Sequence, residues 1–342
     1  MPTRILIVTR RDDLHADLVV ERLRARGEMP FRLDLDAFPA RYAIALHFDG
    51  HRWQGTLSNR DDGARLRIDD ICAVWTRKTA DFAFAAVLGA QERAYAVGET
   101  THILSGLLHG LDAYWMSHPS AVRAAQWKGE QLLRAARMGF RVPPSLIADD
   151  KSAVLAFREA MAGDIVFKTM ESPFLAADEV GDDERVAHGI GTTRIEPEHE
   201  AMLDAVSTLP CFFQRHVPKR HEVRATVIGD RVFAARIHSQ DDARTRVDFR
   251  NYEAPVRYEA TRLPDEIERR CVAFVHSYGL TYGAIDLIVD HEGDYVFLEN
   301  NPGGQFLFVE QRVPELAMLD AVADCLLVGA TTRPDVAAGA CA

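Results

Sequence analysis

Short apolar runs alternate with amphipathic stretches through the first hundred residues. Arg4 to Thr9, centred on Ile5-Leu6-Ile7-Val8, reads as a strand. Leu14, Leu18, Val19 and Leu23 then recur at helical spacing over Leu14 to Arg26, and Gly27 supplies the stop. Phe31 to Leu35 and Ile71 to Trp75 are further short strands, Ala43 to Leu66 reads as polar, turn-linked strands, and Gln91 to Leu111 is helical. This alternation predicts an open α/β layer rather than a bundle.

A break at Ser117-His118-Pro119 opens a second unit, with one helix predicted from Ala121 to Met138 and ended by Gly139. Ile165 to Thr169 is a strand and a long polar stretch follows. Cys211 to His216, Val223 to Ile228 and Val232 to His238 are strands, the last two joined by Gly229-Asp230, a two-residue hairpin signal. Asp265 to Tyr278 reads as helix, Tyr282 to Val289 and Tyr295 to Leu298 as strands, and Pro314 to Leu327 as a closing helix. The small, turn-rich residues from Gly329 onward predict a disordered tail. The expected division is 1–117, an α/β layer; 118–210 and 211–329, two lobes; and 330–342, the tail.

Composition narrows the class. The 342 residues carry 51 acidic and 40 basic side chains, a net charge of −11, which argues against a sequence-independent nucleic-acid binder. At 47% hydrophobic and 27% charged the chain is too apolar to be disordered. It shows neither a signal peptide nor an apolar stretch long enough to span a bilayer, so no membrane partner is expected. Five scattered cysteines without C-x-x-C pairing suggest neither a disulfide framework nor a zinc site, and a reducing cytoplasm fits them.

The densest chemistry lies near the end. Asp286 sits in an apolar strand, and Glu299-Asn300-Asn301-Pro302-Gly303-Gly304 follows across a hairpin at Glu292-Gly293. Glu299 and Asn301, two apart, project from one face. Two carboxylates and an amide oxygen form an all-oxygen set suited to Mg²⁺. The competing reading is a strand-terminal turn, capped by Asn and closed by Pro-Gly-Gly.

An Asp followed by Glu-x-Asn on the last two core strands resembles the ATP-grasp ligases, which hold two Mg²⁺ against ATP phosphates there. The resemblance implies an ATP-grasp fold, α/β with α+β lobes, behind an N-terminal open α/β pre-ATP-grasp domain. It assigns Asp286, Glu299 and Asn301 to metal, Lys128 and Lys168 to phosphates, and Gln214, His216 and Val217 to the adenine hinge. Glu222 falls to the ribose or neighbouring polar groups. Arg224 and Arg236, on paired strands, are implied to face the phosphates and an acyl phosphate, where fixed guanidinium groups offset developing charge. From Gln214 to Arg250 nine basic residues outnumber five acidic ones, so a +4 segment lies within an acidic chain.

Trp75-Thr76-Arg77-Lys78, Gly139-Phe140-Arg141-Val142-Pro143, Gly191-Thr192-Thr193, His238-Ser239-Gln240, Asp248-Phe249-Arg250 and Asn301 to Phe306 resemble one branch, the microviridin-type peptide maturases or graspetide synthetases. That branch implies ATP-dependent activation of Asp or Glu side chains of a ribosomal precursor peptide, leader plus acidic core. Ring closure by a Ser or Thr hydroxyl or a Lys amine then gives an ester or amide. Arg250 and Asn251 are the residues implied to hold the acyl phosphate or core carboxylate, and a homodimer is the family expectation. Two alternatives are an ATP-grasp ligase adding a free amino acid, as glutamate ligases do, and a silent nucleotide-binding protein. One departure stands out: where many ATP-grasp proteins carry a glycine-rich flap, Asp178 to Glu184 is acidic, and Gly181, Gly189 and Gly191 form no phosphate-cradling run.

Overall fold

The computed structural model describes residues 4–78, 80–171, 191–250 and 254–331. The N-terminal layer runs β1 (Ile5–Thr9), α1 (Leu14–Ala25), β2 (Phe31–Asp34), β3 (Tyr42–Phe48), β4 (Trp53–Asn59), β5 (Arg65–Arg67), β6 (Ala73–Thr76), α2 (Ala90–His109) and β7 (Tyr114–Trp115). Strands β2-β1-β6-β7 make a parallel sheet, and β3-β4-β5 a separate antiparallel one. All of β1 is buried because both faces are covered. Leu6 and Val8 meet a core containing Leu104 and Leu107 of α2, and Ile5 and Ile7 meet α1. Asp13 caps α1, and Gly27 ends it at φ +85°.

The next segment holds α3 (Pro119–Ala124), α4 (Lys128–Arg137), β8 (Ser145–Ala148), α5 (Lys151–Ala160), β9 (Ile165–Lys168), β10 (Thr193–Arg194) and β11 (Cys211–Arg215). The single helix expected from Ala121 to Met138 is thus two. The Gln131 side chain takes the Ala125 carbonyl at 2.6 Å, and the chain restarts with Trp127 in extended conformation as the cap. Strands β10-β9-β11-β8 form an antiparallel sheet with its own core of Val154, Ile165, Leu203, Val206 and Phe213.

The remainder is β12 (Lys219–Ile228), β13 (Arg231–Ile237), β14 (Tyr258–Thr261), α6 (Asp265–His276), β15 (Tyr282–Asp290), β16 (Tyr295–Asn301), α7 (Leu307–Glu310) and α8 (Met318–Thr331). Its antiparallel sheet has the order β14-β13-β12-β15-β16. Gly229, at φ +60°, makes the tight β12–β13 turn that Gly229-Asp230 predicted. The closing helix begins later than expected, after Ala317 turns left-handed, and it continues through Gly329 to Thr331, so these residues are helical and do not belong to a tail. Residues 332–342, with Cys341, lie outside the described residues, as do Asp178 to Glu184, Gly181 and Gly189. No helix among the described residues is long and apolar enough to cross a membrane.

Alternation along β12 and β15 gives the sheet two different faces. On one, Val223, Ala225, Val227, Ile285 and Leu287 pack with Phe274 of α6 and Ala135 of α4. The other face is divided. Ile228, Ala235, Tyr282 and Ala284 share a core with Ile5, Ile7 and α8, while Glu222, Arg224 and Asp286 form a buried polar stretch beyond them.

Candidate active site

Strand register assembles that polar stretch. Arg224 lies opposite Asp286, and Asp286 opposite Glu299, so the three share a face; Ala284 opposite Asn301 extends the row. A bulge after Asp286 restores the pairing beyond Glu299. Arg224 Nη1 donates to both Asp286 oxygens, at 2.8 and 2.9 Å, and its Nη2 donates to the Gln305 carbonyl at 3.3 Å. Asn301 Nδ2 lies 3.3 Å from Glu299 Oε1 and 3.5 Å from Asp286 Oδ2. Glu299, Asn300 and Asn301 all belong to β16, where the sequence had the strand stop at Leu298.

Cations close over this row from the smaller sheet and from α4. Lys128 Nζ lies 3.2 Å from Glu299 Oε2 and donates to the Thr169 carbonyl at 3.0 Å. Lys168 Nζ donates to Gln214 Oε1 at 2.9 Å, and Gln214 Nε2 donates to Ser145 Oγ at 3.0 Å. Glu222 is buried against Lys219, whose Nζ lies 2.8 Å from its Oε1. Arg250 forks onto Asp248 at 2.8 and 2.9 Å. Asp248 also accepts from the Thr192 N–H at 3.1 Å, fastening the two hydrophilic loops together.

Burial and these charges set protonation. Burial pushes Asp286 upward, the Glu299 charge adds to it, and Arg224 opposes both. Burial would also raise Glu299, yet Lys128, Arg250 and Lys168 overturn that and hold it low. Lys168 is brought down to about 8, chiefly by burial, with Glu299 resisting. Burial likewise raises Glu222 against the pull of Lys219. Two facing carboxylates beside an amide, one of them raised by the charge of the other, fit a hard divalent cation, because its charge would relieve the repulsion. Among the described residues no group of three His, Cys, Asp or Glu side chains could hold a metal, so the fit is to two carboxylates plus Asn301, completed by phosphate or water oxygens.

Three expected contributors stand elsewhere. Arg236 is opposite Val223, one residue out of phase with Arg224, so its side chain belongs to the other face of the sheet and cannot meet phosphates beside Arg224. The two-residue turn already contained this information: closing Ile228 onto Arg231 pairs Arg224 with Ala235. His216 is turned to Asp164, 3.2 Å from its carboxylate, and its backbone N–H donates to the Asp164 carbonyl. Val217 lines a groove with Arg141, Pro144, His291 and Val296, whose walls include neither Lys168 nor Gln214. Asn251 lies outside the described residues.

Gln131 is a site-building residue that the motifs missed. Its Nε2 donates to the Asn300 carbonyl at 2.8 Å and its Oε1 accepts the Asn300 N–H at 2.7 Å, docking α4 on the strand between Glu299 and Asn301. The available signal was a polar residue on the helix face of Ala135.

The chain resembles known proteins over nearly its whole length. Residues 4–123 match the MvdD pre-ATP grasp domain. The macrocyclase MdnC of Microcystis aeruginosa MRC, solved with precursor peptide MdnA, is 28% identical over 95% of this chain and 99% of its own, with a TM-score of 0.81. A RiPP-associated ATP-grasp ligase of Chryseobacterium gregarium, solved with ADP and leader and core peptides, is 27% identical over 95% and 97%, at 0.85. The ATP-grasp ligase PsnB, solved with a precursor variant, Mg and ADP, is 25% identical over 96% and 99%, at 0.73. No curated protein matched in sequence. The fold is that of the ATP-grasp ligases, with a pre-ATP-grasp domain at its N-terminus. Within that class its likeness lies with the microviridin-type ribosomal-peptide ligases, from the first strand to the last helix.

Proposed function

We propose that the chain is an ADP-forming ligase that activates Asp or Glu side chains of a ribosomal precursor peptide and closes them into ester or amide macrocycles. The observation that carries this reading is the convergence of Arg224, Asp286, Glu299 and Asn301 on one sheet face beneath Lys128 and Lys168. The division into residues 1–117, 118–210 and 211–329, a homodimer, and a reducing cytoplasm complete it, and they rest on sequence and family likeness alone.

Each residue then has a task. Asp286, Glu299 and Asn301 would hold Mg²⁺, which supplies charge neutralisation at the phosphate oxygens when bound. Lys128 and Lys168 bind phosphate, and Gln214 and Glu222 orient the nucleoside. A substrate carboxylate oxygen attacks the terminal phosphorus, the bond to ADP breaks, and an acyl phosphate results. A hydroxyl or amine of the same peptide then attacks the acyl carbon and phosphate leaves, so the peptide loses one water per bond. Arg224 and Arg250 stabilise the charge on the transferred group, and no protein nucleophile is required.

The test is incubation with ATP, Mg²⁺ and the peptide encoded beside the gene. The expected result is a loss of one water mass per ring with ADP release, and Glu299→Gln should abolish both while leaving the circular-dichroism spectrum intact. AMP release, or a gain of peptide mass as a free-amino-acid ligase would give, overturns the reading.

A further inference from the structure

Arg77 follows β6 at the carboxyl end of the N-terminal parallel sheet, the end at which open α/β sheets receive ligands. Its side chain is only 4% exposed. Nε lies 3.4 Å from Asp13 Oδ2, and the guanidinium sits over Trp75, 5.4 Å from the ring centroid. Thr9 Oγ1 donates to the same Asp13 oxygen at 2.7 Å. Arg77 Nη2, although buried, has no hydrogen-bond partner among the described residues. A buried cationic donor left unmatched is costly, and native proteins rarely keep one without a use.

The surroundings of this cluster point toward the active site. His15, beside Asp13, accepts the backbone N–H groups of Phe306 and Leu307 at 3.2 and 3.3 Å. These residues end the turn that leaves Asn301, and the same turn is held by Tyr282, whose hydroxyl donates to the Gly304 carbonyl at 2.7 Å, and by Arg224 at Gln305. Burial raises the Tyr282 phenol, while Arg224 and Arg77 both pull it down, so the two guanidinium groups act on it together. A planar guanidinium with one unpartnered nitrogen is matched to a carboxylate.

We propose that Arg77 binds the substrate carboxylate, the acidic peptide side chain that becomes phosphorylated, from the N-terminal layer while Arg224 faces it from the sheet. This rests on the ligase reading above and adds the residue that recognises the acid. Arg77 would then distinguish an acidic core from its amide counterpart.

Titration calorimetry with ADP and Mg²⁺ present, using synthetic Ac-Thr-Glu-Glu-Thr-amide and Ac-Thr-Gln-Gln-Thr-amide as probes, tests it. Wild type should prefer the acidic peptide by about tenfold, the scale of one charge-assisted hydrogen bond. Arg77→Ala should bring the ratio near one with ADP affinity unchanged. Arg77→Lys, which keeps a cation on Asp13, should give an intermediate ratio and guards against loss of folding in the alanine variant. A wild-type preference that survives in both variants overturns the role of Arg77 and leaves the ligase reading intact. Absence of preference in wild type also overturns it, and the ligase reading is then judged separately by ADP release with the precursor.

Discussion

Lys168 shows how position changes a side chain's chemistry. In water a lysine stays charged far above neutrality, but burial beneath Gln214 brings this one to about 8. Its charge is complete below that value and is lost as pH rises through it. Affinity for ADP without metal should therefore fall above pH 8, by at most about tenfold per pH unit. Lys168→Arg should flatten the profile, since a guanidinium stays protonated. Isothermal titration across pH 6.5 to 9.5 checks both. At this scale the sequence was informative where alternation could be read: Glu222 and Arg224, or Glu299 and Asn301, are two apart and must share a face. Arg236 failed because its face depends on pairing, and His216 failed because Asp164, 52 residues away in sequence, claims its ring.

Elements depend on contacts that local pattern does not encode. Periodicity made one helix of Ala121 to Met138, but the interruption before Lys128 puts that lysine in the first turn of α4 and Gln131 against β16. The hairpins were legible because Gly229 and Gly293 need positive φ. The short strands β8, β10 and β14 were not, because they carry no buried apolar position, whereas the equally short β2, β6 and β9 do. Gln131→Leu tests the clamp. It leaves the buried Asn300 N–H unpaired, which should cost about 1–3 kcal/mol. A melting temperature lower by a few degrees should accompany a fall in turnover larger than any change in the KM for ATP, because Glu299 and Asn301 flank the freed position.

Across the whole molecule, net charge and local charge have opposite signs. The chain is −11 overall, yet its active-site strands carry an excess of basic residues, of which Lys219 and Arg224 pair with Glu222 and Asp286, while Lys128 of α4 pairs with Glu299. The cores divide the chain differently from its order. Helix α8 packs with α1 and Ile5, and α4 with the sheet of β12 to β16, so the chain's two ends and its metal-ligand strands share continuous packing. Among the described residues the sheet of β8 to β11 with α5 keeps a core of its own. That sheet holds Lys168 and Gln214, while Lys128 travels with the larger body. A nucleotide gripped by both lysines is then a mechanical joint as well as a reactant, tying a small, separately melting unit to a large one. Scanning calorimetry without ligand should show a minor early transition, and ADP with Mg²⁺ at a hundredfold excess over Kd should move it toward the main one by about 2.7 kcal/mol of added stability.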